Sequence, residues 1–117
     1  YGFTRGIHDL VGGMCQTDYS GYPDCRRAFI DAMERALSLA LDTTIRIHTP
    51  LMHLTKAETW RLARELGILD VIIEQTHTDY NGDRSERHAW GYGRLDNPAS
   101  ILRARGYEEA KARGWLD

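Results

Sequence analysis

The chain has 117 residues, which by length alone fits one small domain. Its 17 acidic and 15 basic residues leave a formal charge of −2, which excludes a protein held to nucleic acid by bulk positive charge. A hydrophobic fraction of 42% with 27% charged residues excludes wholesale disorder, and no apolar run approaches the ~20 residues that cross a bilayer. Tyr1 to Arg5 carries neither the charged nor the apolar region of a secretory signal, so the expected compartment is the cytoplasm, with no membrane partner. The two cysteines, Cys15 and Cys25, are too few for a disulfide framework or for a four-thiolate zinc site, and are expected to be reduced.

In chain order, His8 to Cys15 reads as a short buried strand running into a Gly-rich turn. A polar loop follows from Gln16 to Asp24, with Asp24 a plausible N-cap. Arg26 to Leu41 then predicts a helix, because Phe29, Ile30, Met33, Ala36, Leu37, Ala40 and Leu41 recur as one apolar stripe. Thr44 to His48 alternates and is β-branched, which predicts a second strand ended by Pro50. Thr55 and Glu58 form a capping-box pair ahead of an amphipathic segment that Gly67 would close. Leu69 to Gln75 reads as a further short helix started by Asp70, with a strand as the other reading. His77 to Asp96 is polar and Gly-rich, a long loop. Asn97 caps a last helix with Pro98 at its first position, interrupted near Gly106 and running to about Arg113. This order implies an α/β fold with a short parallel sheet and right-handed crossovers. Two strands make a poor parallel sheet, so further strands are expected from elsewhere, in this chain or another.

The densest reactive cluster is Gln16 to Arg26, between a strand's carboxyl end and a helix start, where open α/β sheets bind ligands. Asp18 and Asp24 offer oxygens to a metal or a polar ligand. Ser20 and the backbone at Gly21 offer donors to an anion. Tyr19 and Tyr22 offer flat faces to a planar ring, and Arg26 a fork for a carboxylate or phosphate. An ordinary surface loop is the competing reading. His48 and Thr49 end the second strand at the same crevice. Lys56 opposes the helix dipole in the next first turn, as a phosphate-directed lysine or a solvated one. His77, Asp79 and His88 match no compact metal spacing. Trp60, Trp90 and Trp115 read as core or interface anchors, and Arg103, Arg105, Lys111 and Arg113 as a solvated helix face.

The run Gly12-Gly13-Met14-Cys15 leading into D-Y-S-G-Y-P-D-C-R at residues 18–26 resembles the QueC family of 7-cyano-7-deazaguanine synthases. T-P-L at residues 49–51, K-A-E-T at 56–59, T-x-Y-N-G at 78–82, H-A-W-G-Y-G at 88–93 and L-R-A-R-G-Y at 102–107 extend the resemblance over nearly the whole chain. It implies a single QueC-like C-terminal domain over 1–117, part of a Rossmann-like, three-layer fold of the adenine nucleotide alpha hydrolase-like, N-type ATP pyrophosphatase class. The implied reaction uses ATP to activate the carboxylate of 7-carboxy-7-deazaguanine, adds ammonia, and dehydrates the amide to the nitrile, a step of queuosine biosynthesis. On that reading Asp18, Ser20, Arg26 and Lys56 are the catalytic candidates. Tyr19, Gly21, Tyr22, Asp24 and Thr49 are those for a 7-deazaguanine-type small molecule.

Two departures from the family pattern set further expectations. The family's S-G-G-x-D-S ATP loop is absent from these residues, so this chain alone is expected not to bind ATP productively and to be inactive. A homodimer, or a partner supplying the ATP-binding half, is expected; direct nucleic-acid contact is not. The alternative is a non-catalytic binding or assembly module derived from the family. The family's four zinc cysteines correspond here to Asp79, Arg94, Asn97 and Ser100, so zinc is expected to be absent, residues 83–96 to be mobile, and an Asp79–Arg94 ion pair to take the metal's place.

Overall fold

The computed structural model describes residues 1–16 and 22–117, and these divide into two compact units, Tyr1–His53 and Leu54–Asp117. In the first, β1 (Asp9–Val11) leads to α1 (Arg27–Ala40) and on to β2 (Arg46–His48). β1 and β2 pair in parallel, Asp9 opposite Arg46, Leu10 opposite Ile47 and Val11 opposite His48. Beyond the strand ends, the Arg46 N–H donates to His8 O and the Gly12 N–H to His48 O, each at 2.9 Å.

That pairing points the backbone groups of Ile45 and Ile47 away from β1. Side chains of α1 satisfy them. Glu34 Oε2 accepts the Ile47 N–H at 2.6 Å, and Ser38 Oγ accepts the Ile45 N–H at 2.9 Å and donates to Ile45 O at 3.2 Å. The outer edge of β2 is therefore blocked by its own crossover helix, while no backbone among the described residues pairs with Asp9 or Val11 on the far edge of β1. Among the described residues, Cys15, Ile30, Ile45 and Met52 are the buried apolar residues of this unit.

Three local expectations change here. β1 is exposed rather than buried, with Leu10 at 40% and Val11 at 76%, because a two-stranded sheet gives it one neighbour instead of two. The stripe on α1 is wider than the surface it covers: Ile30 is buried, but Phe29, Met33 and Leu39 are exposed. Asp24 does not cap α1. It lies in a 3-10 turn, Pro23–Cys25, and Arg26 holds the cap position without a side-chain bond. Gln16 Oε1 accepts the Arg27 N–H at 2.9 Å instead, so a residue distant in sequence satisfies the open helix end.

The second unit follows its local signals closely. α2 (Lys56–Glu65) starts with both halves of the capping box: Thr55 Oγ1 accepts the Glu58 N–H at 3.2 Å, and Glu58 Oε2 accepts the Thr55 N–H at 2.7 Å. These bonds hold the Glu58 carboxyl below its ordinary value. Gly67, at φ +70°, closes the helix as the Ile68 N–H returns to Ala63 O at 3.0 Å. α3 (Leu69–Gln75) is a helix, not a strand; Ile68 precedes it and Asp70 lies in its first turn, where a negative charge suits the dipole. The stretch read as loop contains an antiparallel hairpin, β3 (Arg87–His88) and β4 (Gly91–Tyr92), folded around the buried Trp90.

α4 (Pro98–Ala112) begins at Asn97, whose Oδ1 accepts the Ser100 N–H at 2.9 Å. It runs unbroken through Gly106, contrary to the expected interruption. A Cβ at Gly106 would lie 2.4 Å from Lys56 Cγ, 2.7 Å from Lys56 Cβ and 3.0 Å from the Lys56 carbonyl carbon. The glycine therefore lets α4 approach α2, and its helix-weakening tendency is offset by packing. Trp60, Trp90, Ala57 and Ala110 form the buried cluster of this unit, with Leu69, Ile72, Ile73 and Tyr107 packed against it. Gly106→Ala, which would gain ~1 kcal/mol in an open helix, is expected here to lose about 1–3 kcal/mol through overpacking. Urea unfolding read by tryptophan fluorescence checks this, since Trp60, Trp90 and Trp115 all lie in the second unit. A more stable variant would show that the helices do not meet so closely.

Candidate functional site

The carboxyl ends of β1 and β2 are where the densest motif begins and ends. Past β1, the Gln16 N–H donates to Met52 O at 2.8 Å. Past β2, Thr49 Oγ1 accepts from Arg27 Nη1 at 2.8 Å, and the Arg27 N–H reaches Gln16 Oε1. Arg27 Nε and Nη2 both hold Asp31 Oδ1, at 2.8 and 2.6 Å. Gln16 and the start of α1, on either side of residues 17–21, are thereby pinned to the loop after β2 at one end of the parallel pair. This is the strand-end position at which α/β sheets present ligand loops.

Asp18, Tyr19, Ser20 and Gly21 lie outside the described residues. Tyr22 and Asp24 are exposed beside or within the 3-10 turn, and Arg26 is exposed at the cap of α1. Thr49 is half-buried and engaged by Arg27, not Arg26. Arg27 was not singled out in the sequence, although its i,i+4 relation to Asp31 marks it as a held side chain rather than a free one. His48, expected to face the crevice, instead brings Nε2 to within 2.7 Å of Asp9 Oδ1 across the strand pair. That bond, with the charges of His48 and Arg46, lowers the Asp9 carboxyl from its ordinary value. Lys56 belongs to the second unit, half-buried at the first position of α2 with its stem against Gly106. It is not a wholly solvated lysine.

The positions at which the resemblance implies zinc cysteines, Asp79, Arg94, Asn97 and Ser100, converge within the second unit. Asp79 is 4% exposed; its Oδ1 accepts the Asn81 N–H at 2.8 Å and its Oδ2 the Arg94 N–H at 3.2 Å. Those two backbone bonds hold its carboxyl below the ordinary value, against the opposing effect of burial. The expected Asp79–Arg94 ion pair is not what forms: the Arg94 guanidinium lies 3.3 Å from Asp96, 3.7 Å from Asp83 and 3.7 Å from Glu86. Asp79 sits inside, where backbone amides reach it, and the Arg94 side chain turns outward to three partly exposed carboxylates. Asn97 Nδ2 donates to Arg94 O at 3.2 Å. This donor set does not fit tetrahedral zinc. It holds no thiolate, its one carboxylate is taken up by N–H groups, the Asn97 oxygen caps α4, and Arg94 adds positive charge.

One expected surface group is buried instead. Arg103, taken as part of a solvated basic face, is 5% exposed. It donates from Nε to Trp90 O at 2.9 Å, from Nη1 to the hydroxyls of Thr76 and Thr78 at 2.9 Å each, and from Nη2 to Ile72 O at 2.8 Å. Its guanidinium also lies 5.2 Å from the Trp60 ring centroid. Burial lowers it from its ordinary value, yet arginine stays charged. A single cation thus joins α3, the segment after it, the hairpin and α4.

Residues 1–111 match the model of the family described as "Queuosine biosynthesis protein QueC". The chain belongs to the QueC family. It is 58% identical over 109 residues to 7-cyano-7-deazaguanine synthase of Parvibaculum lavamentivorans, covering 91% of this chain and 46% of that protein. The corresponding enzyme of Maricaulis maris is 57% identical over 108 residues, covering 90% and 44%. 7-cyano-7-deazaguanine synthase 1 of Rhodopseudomonas palustris is 54% identical over 114 residues, covering 95% and 48%. The QueC chain described here spans just under half the length of these relatives. Its mixed α/β elements and short parallel sheet agree with the expected α/β class, and no helix among the described residues is long and apolar enough to cross a membrane.

Proposed function

We propose that this chain carries the purine-recognition half of a 7-cyano-7-deazaguanine synthase acting in queuosine biosynthesis. The observation that carries the reading is the D-Y-S-G-Y-P-D-C-R run at residues 18–26, whose flanks are pinned at the carboxyl ends of a parallel strand pair. In this reading Tyr19 and Tyr22 lie against the deazaguanine ring. Asp18, Asp24 and the Gly21 backbone serve its ring edge. Ser20 and Arg26 address the carboxylate and its activating phosphate, with Thr49 beside them, and Lys56 is a separate phosphate-directed candidate in the second unit. Converting a carboxylate to a nitrile requires activation, because hydroxide is a poor leaving group; ATP supplies that activation in the proposed reaction.

No S-G-G-x-D-S loop occurs among these residues, so ATP is assigned to a polypeptide segment that carries one. The free edge of β1 is the place where such a segment would extend the sheet, since the outer edge of β2 is filled by Glu34 and Ser38. The complete arrangement would be the three-layer, Rossmann-like ATP-pyrophosphatase fold, cytoplasmic and at least dimeric.

Isothermal titration of the chain with 7-carboxy-7-deazaguanine and, separately, with ATP tests this reading. Saturable binding of the acid is expected, weakened at least tenfold by Tyr22→Ala or Arg26→Ala, with no saturation by ATP. Equal uptake of guanine and the carboxylated ring, or tight ATP binding by the chain alone, would contradict the assignment.

A further inference from the structure

The QueC zinc positions pose a physical problem. A metal ties chain segments together by taking ligands from each, and here the corresponding positions hold Asp79, Arg94, Asn97 and Ser100, with no thiolate among them. The segments nevertheless meet. A Cβ at Gly93 would lie 3.0 Å from Ser100 Oγ, 3.4 Å from Asp79 Cβ and 3.5 Å from Trp90 Cζ3, so the loop after the hairpin passes directly between Asp79 and the start of α4. Gly93, at φ +142°, adopts a backbone conformation that L side chains rarely take.

What joins the segments is a chain of hydrogen bonds. Asp79 gathers the N–H groups of Asn81 and Arg94 on its two oxygens. The Arg94 carbonyl accepts from Asn97 Nδ2, and Asn97 Oδ1 accepts the Ser100 N–H. Each of the four positions thus contributes a donor or acceptor to a link with another. The chemistry is inverted relative to a metal site: the hub is an anion that collects N–H donors, not a cation that collects thiolates.

We propose that this metal-free clasp, centred on the Asp79 carboxylate, does the fastening that zinc does elsewhere in the family. The anion suits the task because charge-assisted N–H···O bonds are stronger than neutral ones, and burial removes competing water. Ser100 Oγ and both ring nitrogens of His77 are buried without a hydrogen-bond partner. A hydroxyl and an imidazole with no thiolate or free carboxylate beside them are a poor zinc set, and no cluster of three or more His, Cys, Asp or Glu among the described residues is placed to hold a metal.

The test has two arms, neither of which reads enzymatic activity. In the first, the whole chain is expressed with added zinc and purified without chelator. Less than about a tenth of a zinc per chain is expected by mass spectrometry, and EDTA should leave the melting temperature unchanged. Near-stoichiometric zinc, or a fall in melting temperature with EDTA, overturns the proposal.

In the second arm, Asp79→Asn places an amide donor against one of two N–H groups. It should lower the melting temperature by about 5 °C or more and speed hydrogen exchange at the Arg94 amide. An unchanged melting temperature and unchanged exchange overturn the proposal. If Asp79→Asn does not fold, the combined variant Asp79→Cys, Arg94→Cys, Asn97→Cys, Ser100→Cys replaces it. That variant should bind one cobalt(II) with the absorption of tetrahedral thiolate coordination and become EDTA-sensitive. Failure to bind cobalt would show that the four positions do not converge as the clasp requires.

Discussion

Arg103→Ala is expected to lose about 3–5 kcal/mol of stability, enough to leave the second unit largely unfolded under mild conditions. The side chain donates to two carbonyls and two threonine hydroxyls, and all four lose its bonds at once, although Ile72 O keeps the Thr76 hydroxyl as a donor. A buried acceptor left without a partner costs more than the hydrogen bond it had contributed, because nothing replaces the water it gave up. Arg103→Lys is expected to fare only slightly better, since one ammonium cannot span the four acceptors that the planar fork reaches. The exposed neighbour on the same helix provides the control: Arg105→Ala should stay within about 0.5 kcal/mol of the parent. Urea unfolding followed by tryptophan emission measures both, and matching midpoints for Arg103→Ala and Arg105→Ala would refute the buried role.

Gly91→Ala is expected to cost about 2–5 kcal/mol, through two separable effects. The residue sits at φ +110°, where any L side chain is strained. Its Cβ would also meet Ile73 O at 2.5 Å and Arg103 Nη2 at 2.9 Å. The first contact is with backbone and cannot relax cheaply. The second displaces the guanidinium that binds Ile72 O, so the substitution damages the same network from the opposite side. A double-mutant cycle distinguishes this from plain strain: combined with Arg103→Ala, Gly91→Ala should cost measurably less than it does in the parent. Strict additivity would mean that the glycine is needed for its backbone angle alone.

These two residues show where reading the sequence fell short. Arg103 stands among Arg105, Lys111 and Arg113 with nothing in its local spacing to distinguish it, and a run of basic residues on a helix ordinarily faces water. Its burial depends on Trp60, Trp90, Thr76 and Thr78, which lie 13 to 43 positions away. Gly106 read as a helix interruption for a similar reason: its value is the space it leaves for Lys56, not its effect on the helix. Asp79 and Arg94 were correctly seen as neighbours, but the expectation that opposite charges pair overlooked the amide of Arg94. A buried carboxylate takes the donors that reach it, and the long guanidinium is free to seek the surface. The strand-end site shows the same division. Thr49, expected among the substrate-binding residues, is engaged by Arg27, one residue past the arginine singled out.

Signals that act within about four residues were legible without coordinates. The capping box at Thr55 and Glu58, the glycine closure at Gly67, the Asn97-Pro98 helix start and the reality of four helices each rest on bonds between near neighbours, whose geometry the chain carries wherever it folds. Family membership was legible too, because a nine-residue motif at 18–26 is too specific to arise from composition. What remained for three-dimensional packing was the choice among chemically identical groups: which arginine is buried, which glycine is indispensable, which carboxylate gathers amides. Those choices depend on elements brought together across long stretches of chain, and burial changes the energetic value of a polar group in a way that its neighbours in sequence do not record.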